Sequence, residues 1–304
     1  MPEGNEIHRW AARHTSAFAG KRLRVDAPAG SSFANALLLD GRKLVRVTAM
    51  GKHLGYDFGA DRLLHVHLGL RGDFKEGTGE LPPEKGALRL RIWNEKAAKL
   101  PAQPGRSKHR LLDDGITQIE PEKIAWLELR GPSDCSVWTQ ARWNELCKRL
   151  GPDPLHGENA NRFVAQVAKR KTAIGVLLMD QTVCAGIGNL FRAEVLFRAR
   201  LSPFAEGRSV PETILKTMWK DAAFLMKAAM VDRRIVTTMV EHRPVKKEGL
   251  ALMEEVHYVY RRQGKPCRVC ESMILTRMVA GRNLFWCPHC QLESGQLAQE
   301  CITI

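Results

Sequence analysis

The chain has 304 residues, with 47 Lys and Arg against 33 Asp and Glu, giving a formal net charge of +14. That length allows a large core and two or three domains. The basic excess points to a polyanionic partner, most simply nucleic acid, although an acidic protein or a membrane surface would satisfy charge alone. No apolar run is long enough to span a membrane, and the N-terminus lacks the basic region and apolar stretch of a secretory signal, so the expected setting is cytoplasmic and reducing.

The chain opens Met1-Pro2-Glu3-Gly4-Asn5-Glu6. If Met1 is removed, Pro2 becomes a free secondary amine beside a carboxylate. An N-terminal amine titrates at about 7.7–8.0, against about 10.4 for lysine, so far more of it is unprotonated and nucleophilic near neutral pH. Ile7, Trp10, Ala11 and His14 follow at helical spacing. Proline suits the first turn of such a helix, whose positive end favours the neutral amine. Taken alone, the six residues read equally as a plain helix start, with Glu3 offsetting the dipole.

From about residue 33 to 130 the pattern is β. Residues 36–39 and 44–47 flank Asp40-Gly41, which predicts a tight hairpin. Leu54, Tyr56 and Phe58 alternate as in a half-buried strand; residues 63–68 and 88–93 supply further strands, and the set predicts a β-sandwich or barrel. Residues 95–115, rich in Lys, Pro, Gly and Arg, are expected to form a mobile surface loop. Lys52, after Gly51 at a strand start, is placed to hold a phosphate or protonate a leaving group, or is simply a solvated strand-end lysine. Leu70, in Gly69-Leu70-Arg71-Gly72, is a leucine on a hairpin tip. It either folds inward or stands out as a wedge for a base stack.

Composition changes near residue 131. Trp143, Leu146, Cys147 and Leu150 recur at helical spacing, Phe163, Val164, Val167 and Ala168 begin another helix, and residues 214–230 predict a third with Leu215, Met218, Leu225 and Met226 inside. Between them a buried helix from Ile174 runs into a glycine-punctuated double turn, Gly186-Ile187-Gly188, and a new helix starts at Asn189. Glycines such as Gly188 free the backbone N–H groups for a phosphate. Asn189 would cap the helix, donate to a phosphate oxygen, or both.

Eight cysteines divide into four scattered ones (Cys135, Cys147, Cys184 and Cys301), read as buried thiols, and the set Cys267-x2-Cys270-x16-Cys287-x2-Cys290. That spacing is characteristic of tetrahedral zinc, and four cysteines leave no open ligand position, so such a metal would be structural. Another metal or a redox pair would also fit four cysteines. Residues 261–290 carry six basic residues and one acidic, with Arg282 at the predicted tip of the ribbon hairpin, where a guanidinium can fork onto a phosphate.

Together these residues resemble the formamidopyrimidine-DNA glycosylase and endonuclease VIII family, over nearly the whole chain and in the family's order. The carriers are the Met-Pro-Glu-Gly start with Glu6, Gly51-Lys52, Asp180-Gln181-Thr182 through Gly186-Ile187-Gly188-Asn189 to Arg192-Ala193-Glu194, and Gly281-Arg282 before the last cysteine pair. The start and Gly-Lys-His-Leu look more like the endonuclease VIII branch; Asn5, where a proline is usual, and Leu70 depart from the pattern. The resemblance implies an α+β multidomain fold: an N-terminal catalytic β-sandwich (1–130), a helix–two-turn–helix domain (131–260) and a zinc ribbon with tail (261–304), with DNA in the cleft between.

The implied activity is that of a bifunctional DNA glycosylase and abasic-site lyase acting on oxidised bases, pyrimidines favoured. Oxidised purines, or a catalytically silent DNA-binding module, are the alternatives. By the same resemblance Pro2 is the nucleophile, Glu3 the acid–base on the sugar ring oxygen, and Glu6 an orienting group. Lys52, Asn189 with Gly188, and Arg282 hold phosphates, and Leu70 fills the void of a flipped base. One zinc sits on Cys267, Cys270, Cys287 and Cys290. The implied partner of this monomer is damaged double-stranded DNA, with single strands left open, and no membrane.

Overall fold

The computed structural model describes residues 2–28, 31, 33, 35–98, 109–111, 117–119, 124–157, 160–244 and 251–292. The chain divides into two compact units. One holds Pro2 with residues 7–147; the other holds Glu3–Glu6 with residues 148 onward.

The first unit begins with α1 (Gly4–Phe18), which buries Ile7, Trp10, Ala11, His14 and Phe18 along one face. The strands are β1 (Arg24–Asp26), β2 (Arg46–Met50), β3 (His53–Asp57), β4 (Leu63–His67), β5 (Asp73–Gly77) and β6 (Leu88–Trp93). After a short helix α2 (Glu95–Ala98) come β7 (His109–Leu111), β8 (Thr117–Ile119), β9 (Trp126–Arg130) and β10 (Asp134–Trp138), then α3 (Gln140–Arg149). Two four-stranded antiparallel sheets form, in the orders β1-β6-β9-β5 and β10-β4-β3-β2. Leu54, Tyr56, Leu64 and Val66 of one sheet and Leu90, Ile92, Leu127 and Leu129 of the other share a single apolar core with α1. This is the expected β-sandwich, closed on one side by the N-terminal helix.

Two local expectations fail for identifiable reasons. The Asp40-Gly41 hairpin does not form: Ala36–Leu38 is a single 3-10 turn. The Asp40 carboxylate instead accepts hydrogen bonds from the Val25 N–H and from Arg24, which ties the segment to β1. The strand carrying Leu54 and Tyr56 is buried on both faces rather than one. Trp143 of α3 covers the second face, close against Gly55, where a Cβ would lie 3.1 Å from its ring. Of residues 95–115, α2 and β7 are described, β7 pairing with β8; the rest lies outside the described residues.

The second unit is helical, with α4 (Asn161–Val167), α5 (Ile174–Leu177), α6 (Asn189–Arg198) and α7 (Glu212–Asp232), followed by a hairpin of β11 (Leu275–Val279) and β12 (Arg282–Trp286). Leu215, Met218, Leu225 and Met226 of α7 are buried as the spacing predicts, in one core with Phe163, Leu177 and Phe191. Among the described residues, no helix is long and apolar enough to cross a membrane.

The sandwich interior carries a polar chain around His14. Tyr56 donates to His14 Nδ1 at 2.6 Å, His14 Nε2 meets Glu76 at 3.0 Å, and Arg13 meets the other Glu76 oxygen at 2.5 Å. Burial lowers the pKa of His14, and it raises that of Tyr56, so the phenol keeps its proton and one neutral imidazole tautomer satisfies both neighbours. Glu76 lies below the usual carboxylate range: burial pushes it up, but hydrogen bonds from His14 and Arg13 outweigh that. Both shifts have the same sign for stability. A histidine with a lowered folded pKa contributes fully above its unfolded value of about 6.5 and loses that contribution as pH falls; a depressed carboxylate loses its own below about 4.5. Denaturation midpoints are therefore expected to fall on acidification from pH 7 to 4. Glu76→Ala is expected to cost about 1–3 kcal/mol at pH 7, because it leaves the fully buried His14 without its acceptor. A variant as stable as the parent would refute this role.

Candidate active site and nucleic-acid interface

The second chain residue with chemical potential, Glu3, is held by a helix 185 residues away in sequence. The α6 segment begins from Gly188 in an extended conformation, and its first turn leaves backbone N–H groups without intrahelical partners. The Glu3 carboxylate takes three of them: Gly188 N–H at 2.9 Å, Leu190 N–H at 2.8 Å and Phe191 N–H at 3.3 Å. Such a terminus is an anion site by its dipole and its free donors. Here the anion is the protein's own. The expectation that these N–H groups, at Gly188 in particular, cradle a DNA phosphate is thereby corrected. So is the expectation that Glu3 offsets the dipole of its own helix: α1 starts at Gly4, and Pro2 precedes it rather than forming its first turn.

Small residues make the socket possible. A Cβ on Gly188 would collide with Cδ, Cγ and Oε1 of Glu3, and one on Gly4 would lie 2.8 Å from Gly186 Cα. Gly4 N–H donates to Gly186 O at 2.9 Å, and Gly186 holds φ +91°. Gln181 fixes the turn itself: its amide nitrogen donates to Met179 O and Ile187 O, and its oxygen accepts from Gly186 N–H.

Behind Glu3 lies Arg192, fully buried, donating to Gly175 O at 3.3 Å and to Asn189 Oδ1. Burial pulls its pKa down to about 10, with Glu3 opposing that shift and Arg282 adding to it. Asn189 does not cap α6. Its side chain accepts from Arg192 and donates to the Asn283 carbonyl at 2.9 Å, which links the helix to the strand that starts at Arg282. Glu3, Gly188, Asn189 and Arg282 thus gather in one unit, and Pro2 joins them through its peptide bond. Glu6 lies one turn on, its N–H bonded to Glu3 O at 3.0 Å.

Lys52 and Leu70 belong to the other unit. Lys52 sits in the β2–β3 turn after Gly51 (φ +57°), and its ammonium opposes protonation of His67. Leu70 tips the β4–β5 hairpin and is 57% exposed, which decides against the inward-folded reading.

Besides Asn189, two side chains fasten the ribbon to α6 and the segment after it. Glu194 accepts from the Tyr258, Val259 and Tyr260 N–H groups and from Thr237 Oγ1. Gln291 accepts from Cys287 N–H at 2.9 Å and donates to Leu201 O at 3.0 Å. The sulfurs of Cys267, Cys270, Cys287 and Cys290 all lie within 4.8 Å of one another. Backbone N–H groups of Val269 and Cys290 point at Cys267 and Cys287 Sγ at 3.5 and 3.4 Å. Four converging sulfurs, two of them receiving N–H groups, match a closed tetrahedral thiolate site, and the cluster holds one structural zinc.

The chain matches the formamidopyrimidine-DNA glycosylase N-terminal domain over residues 1–106, that protein's H2TH domain over residues 150–240, and the zinc finger found in FPG and IleRS over residues 264–292. Endonuclease 8 1 of Mycobacterium tuberculosis is 37% identical over 296 residues, covering 96% of this chain and 100% of its own length. The chain belongs to the formamidopyrimidine-DNA glycosylase and endonuclease VIII family. It is a DNA glycosylase and abasic-site lyase of base excision repair. Formamidopyrimidine-DNA glycosylase of Thermus thermophilus is 29% identical over 297 residues, covering 96% of this chain and 99% of its own. The crystal structure of MutM (FPG) from that organism superposes with a TM-score of 0.69, covering 96% and 99% of the two chains.

Sequence reasoning named the motif stretch 180–194 but assigned no site role to Gln181, Arg192 or Glu194, and it passed over Asn283 and Gln291. A signal was present for two of them. Arg192 and Glu194 stand among Leu190, Phe191, Ala193, Val195, Leu196 and Phe197, and charges in such a run are buried and need partners.

Gly188→Ala is expected to displace the Glu3 carboxylate and slow base excision by about 10²-fold, the usual penalty for an ångström of misplacement, while zinc content and the circular dichroism spectrum stay unchanged. Single-turnover rates on a damaged duplex measure it, and a wild-type rate would sink the account. Zinc removal, or Cys287→Ser, is expected to unfold the ribbon and weaken DNA binding, because so small a segment draws much of its folding free energy from the metal. Full affinity in a verified metal-free protein would contradict this.

Proposed function

We propose that the protein removes oxidised pyrimidines from duplex DNA and cleaves the strand at the resulting site, with the Pro2 amine as nucleophile. The amine, freed by loss of Met1, forms a bond to C1′ as the C1′–N bond to the base breaks, and the base leaves with a proton. Glu3 acts on the ring oxygen as the sugar opens, giving a cationic imine between Pro2 and C1′. The imine acidifies C2′–H; loss of that proton expels the 3′ phosphate, and a second elimination expels the 5′ phosphate. Water then releases Pro2.

Lys52, Asn189 and Arg282 hold phosphates flanking the flipped nucleotide. Glu6 orients the groups around Pro2. Leu70 fills part of the vacated stack, where flipping costs a few kcal/mol and favours bases already weakened by damage. One observation supports the reading: the carboxylate of Glu3, the residue after Pro2 in the chain, is held by N–H groups at the start of α6. The preference for pyrimidines is supported by the full-length relative called endonuclease 8 1. The alternative, oxidised purines, is supported by the more distant formamidopyrimidine-DNA glycosylase of Thermus.

Borohydride trapping on a panel of damaged oligonucleotides tests the imine and the lesion together. Retaining Met1 or adding an N-terminal tag is expected to abolish trapping, excision and abasic cleavage alike. Glu3→Gln is expected to lower excision by about 10²–10⁴ while sparing cleavage of a preformed abasic site, which already exists partly as an open aldehyde. Because the glutamine amide would turn an N–H toward the α6 donors, melting temperatures accompany the rates. Normal trapping by a tagged protein excludes Pro2, and equal losses on both substrates exclude the acid–base role of Glu3.

A further inference from the structure

A second polar cluster lies in the first unit, on one face of the β10-β4-β3 sheet. In the strand register His53 stands opposite His67, and His67 opposite Asp134, so these three side chains share a face. His65, two residues before His67 on β4, shares it too. His65 Nδ1 lies 2.8 Å from Asp134 Oδ2, and His65 Nε2 lies 2.9 Å from His53 Nδ1. His67 Nδ1 lies 2.7 Å from Ser133 Oγ, and the rings of His53 and His67 are 4.7 Å apart.

These contacts set the hydrogen occupancy of both nitrogens of His65 and of the Nδ1 atoms of His53 and His67. An ionised carboxylate only accepts, so His65 carries its hydrogen on Nδ1 and offers a bare Nε2. His65 is neutral: it is buried and stacked 3.8 Å from the Trp138 ring, and burial pulls its pKa down to about 4 against the opposing pull of Asp134. Its Nε2 can only accept, and therefore His53 donates from Nδ1. Ser133 spends its hydroxyl hydrogen on His67 O at 2.9 Å, so its oxygen accepts from His67 Nδ1. In both His53 and His67, Nε2 is then the atom that gains or loses a proton.

The two rings are not equivalent. Lys52, from the β2–β3 turn, and burial both oppose a charge on His67. His53 is connected through His65 to the Asp134 carboxylate, which can offset a positive charge two rings away. The charged groups facing the cluster are Lys52 from the turn, Asp134 from β10 and Arg142 from α3, together with His65 and His67 from β4. Lys52 and Arg142, the two cations among them, disfavour a further cation unless an anion arrives with it.

We propose that Asp134, His65 and His53 form a fixed-tautomer relay, through which His53 takes up one proton at Nε2 when a DNA phosphate binds beside Lys52. The proton comes from solvent and no other bond changes. The relay gives the phosphate a second cation only while DNA is present, so binding tightens as pH falls through the histidine range of about 6.5. The proposal rests on the reading of Lys52 as a phosphate-holding residue. His53 acts on the phosphate, while His65 and Asp134 act through it as positioning residues.

The test is isothermal titration of the full chain with a duplex containing a tetrahydrofuran abasic analogue, in buffers of different ionisation enthalpy, from pH 5.5 to 8.5. Wild type is expected to take up between a half and one proton near pH 6.5 and none above pH 8. His53→Gln keeps a donor to His65 Nε2 but cannot titrate, and it is expected to abolish most of that uptake. Asp134→Asn keeps an acceptor but loses the charge, and it is expected to reduce uptake and shift it to lower pH. Zero uptake in wild type, or undiminished uptake in His53→Gln, overturns the relay. Lys52→Ala separates the two readings: affinity unchanged at every pH overturns the phosphate role of Lys52, whereas weakened affinity with His53→Gln still taking up its proton overturns the relay alone. Should His53→Gln fail to fold, histidine ring NMR of the wild type with and without duplex decides, since the proposal requires the His53 Nε2 signal to move to the imidazolium range on binding.

Discussion

The contact between the Glu3 carboxylate and the first turn of α6 is the constraint on which the catalytic region depends. A helix start without a cap leaves donors unsatisfied, and a carboxylate beneath the surface without donors is costly. Each solves the other's problem. The solution imposes its own requirements: no side chain at position 188, a turn fixed by the Gln181 amide, and a buried cation, Arg192, whose charge Glu3 balances. The Glu3 carboxylate is thereby held at three points by the start of α6.

The same helix organises the zinc ribbon. Glu194, five residues after Asn189, gathers three consecutive N–H groups from the segment that enters the ribbon, and Gln291 ties the second cysteine knuckle back to Leu201. Zinc gives the ribbon its internal rigidity, and these polar anchors set its attachment to α6. The bond from Asn189 to the Asn283 carbonyl then connects the strand headed by Arg282 to the helix that holds Glu3. One ten-residue helix thus contacts both Glu3 and the ribbon strand headed by Arg282.

In the sandwich unit the buried polar groups are likewise matched to specific partners: His14 between Tyr56 and Glu76, Arg91 on Glu128 and Pro82 O, His65 between Asp134 and His53. Networks of this kind punish any slip of register, since a shift by one residue strands each group on the wrong face. Lys52 and Leu70 sit on the β2–β3 and β4–β5 turns of this unit.

Much of this was legible in the chain itself. Apolar spacing in 7–14 and 214–230 gave α1 and α7, because a stripe repeating every three to four residues can be buried in only one way. The short run 63–68 and the alternation in 88–93 gave β4 and β6, and the cysteine spacing gave the zinc, because ligand geometry tolerates few loop lengths. Where local signals competed with distant partners, the sequence misled. Asp40-Gly41 has the chemistry of a hairpin, yet Asp40 is claimed by Arg24 and Val25. The glycines at 186 and 188 have the chemistry of a phosphate cradle, yet the Gly188 N–H is claimed by Glu3 and the Gly186 N–H by Gln181. The composition of the site was therefore written in the sequence. Which donor meets which acceptor was decided only by tertiary structure, because a hydrogen bond is directional and its partner stands where the whole fold puts it, here 185 residues along the chain from Glu3 to Gly188.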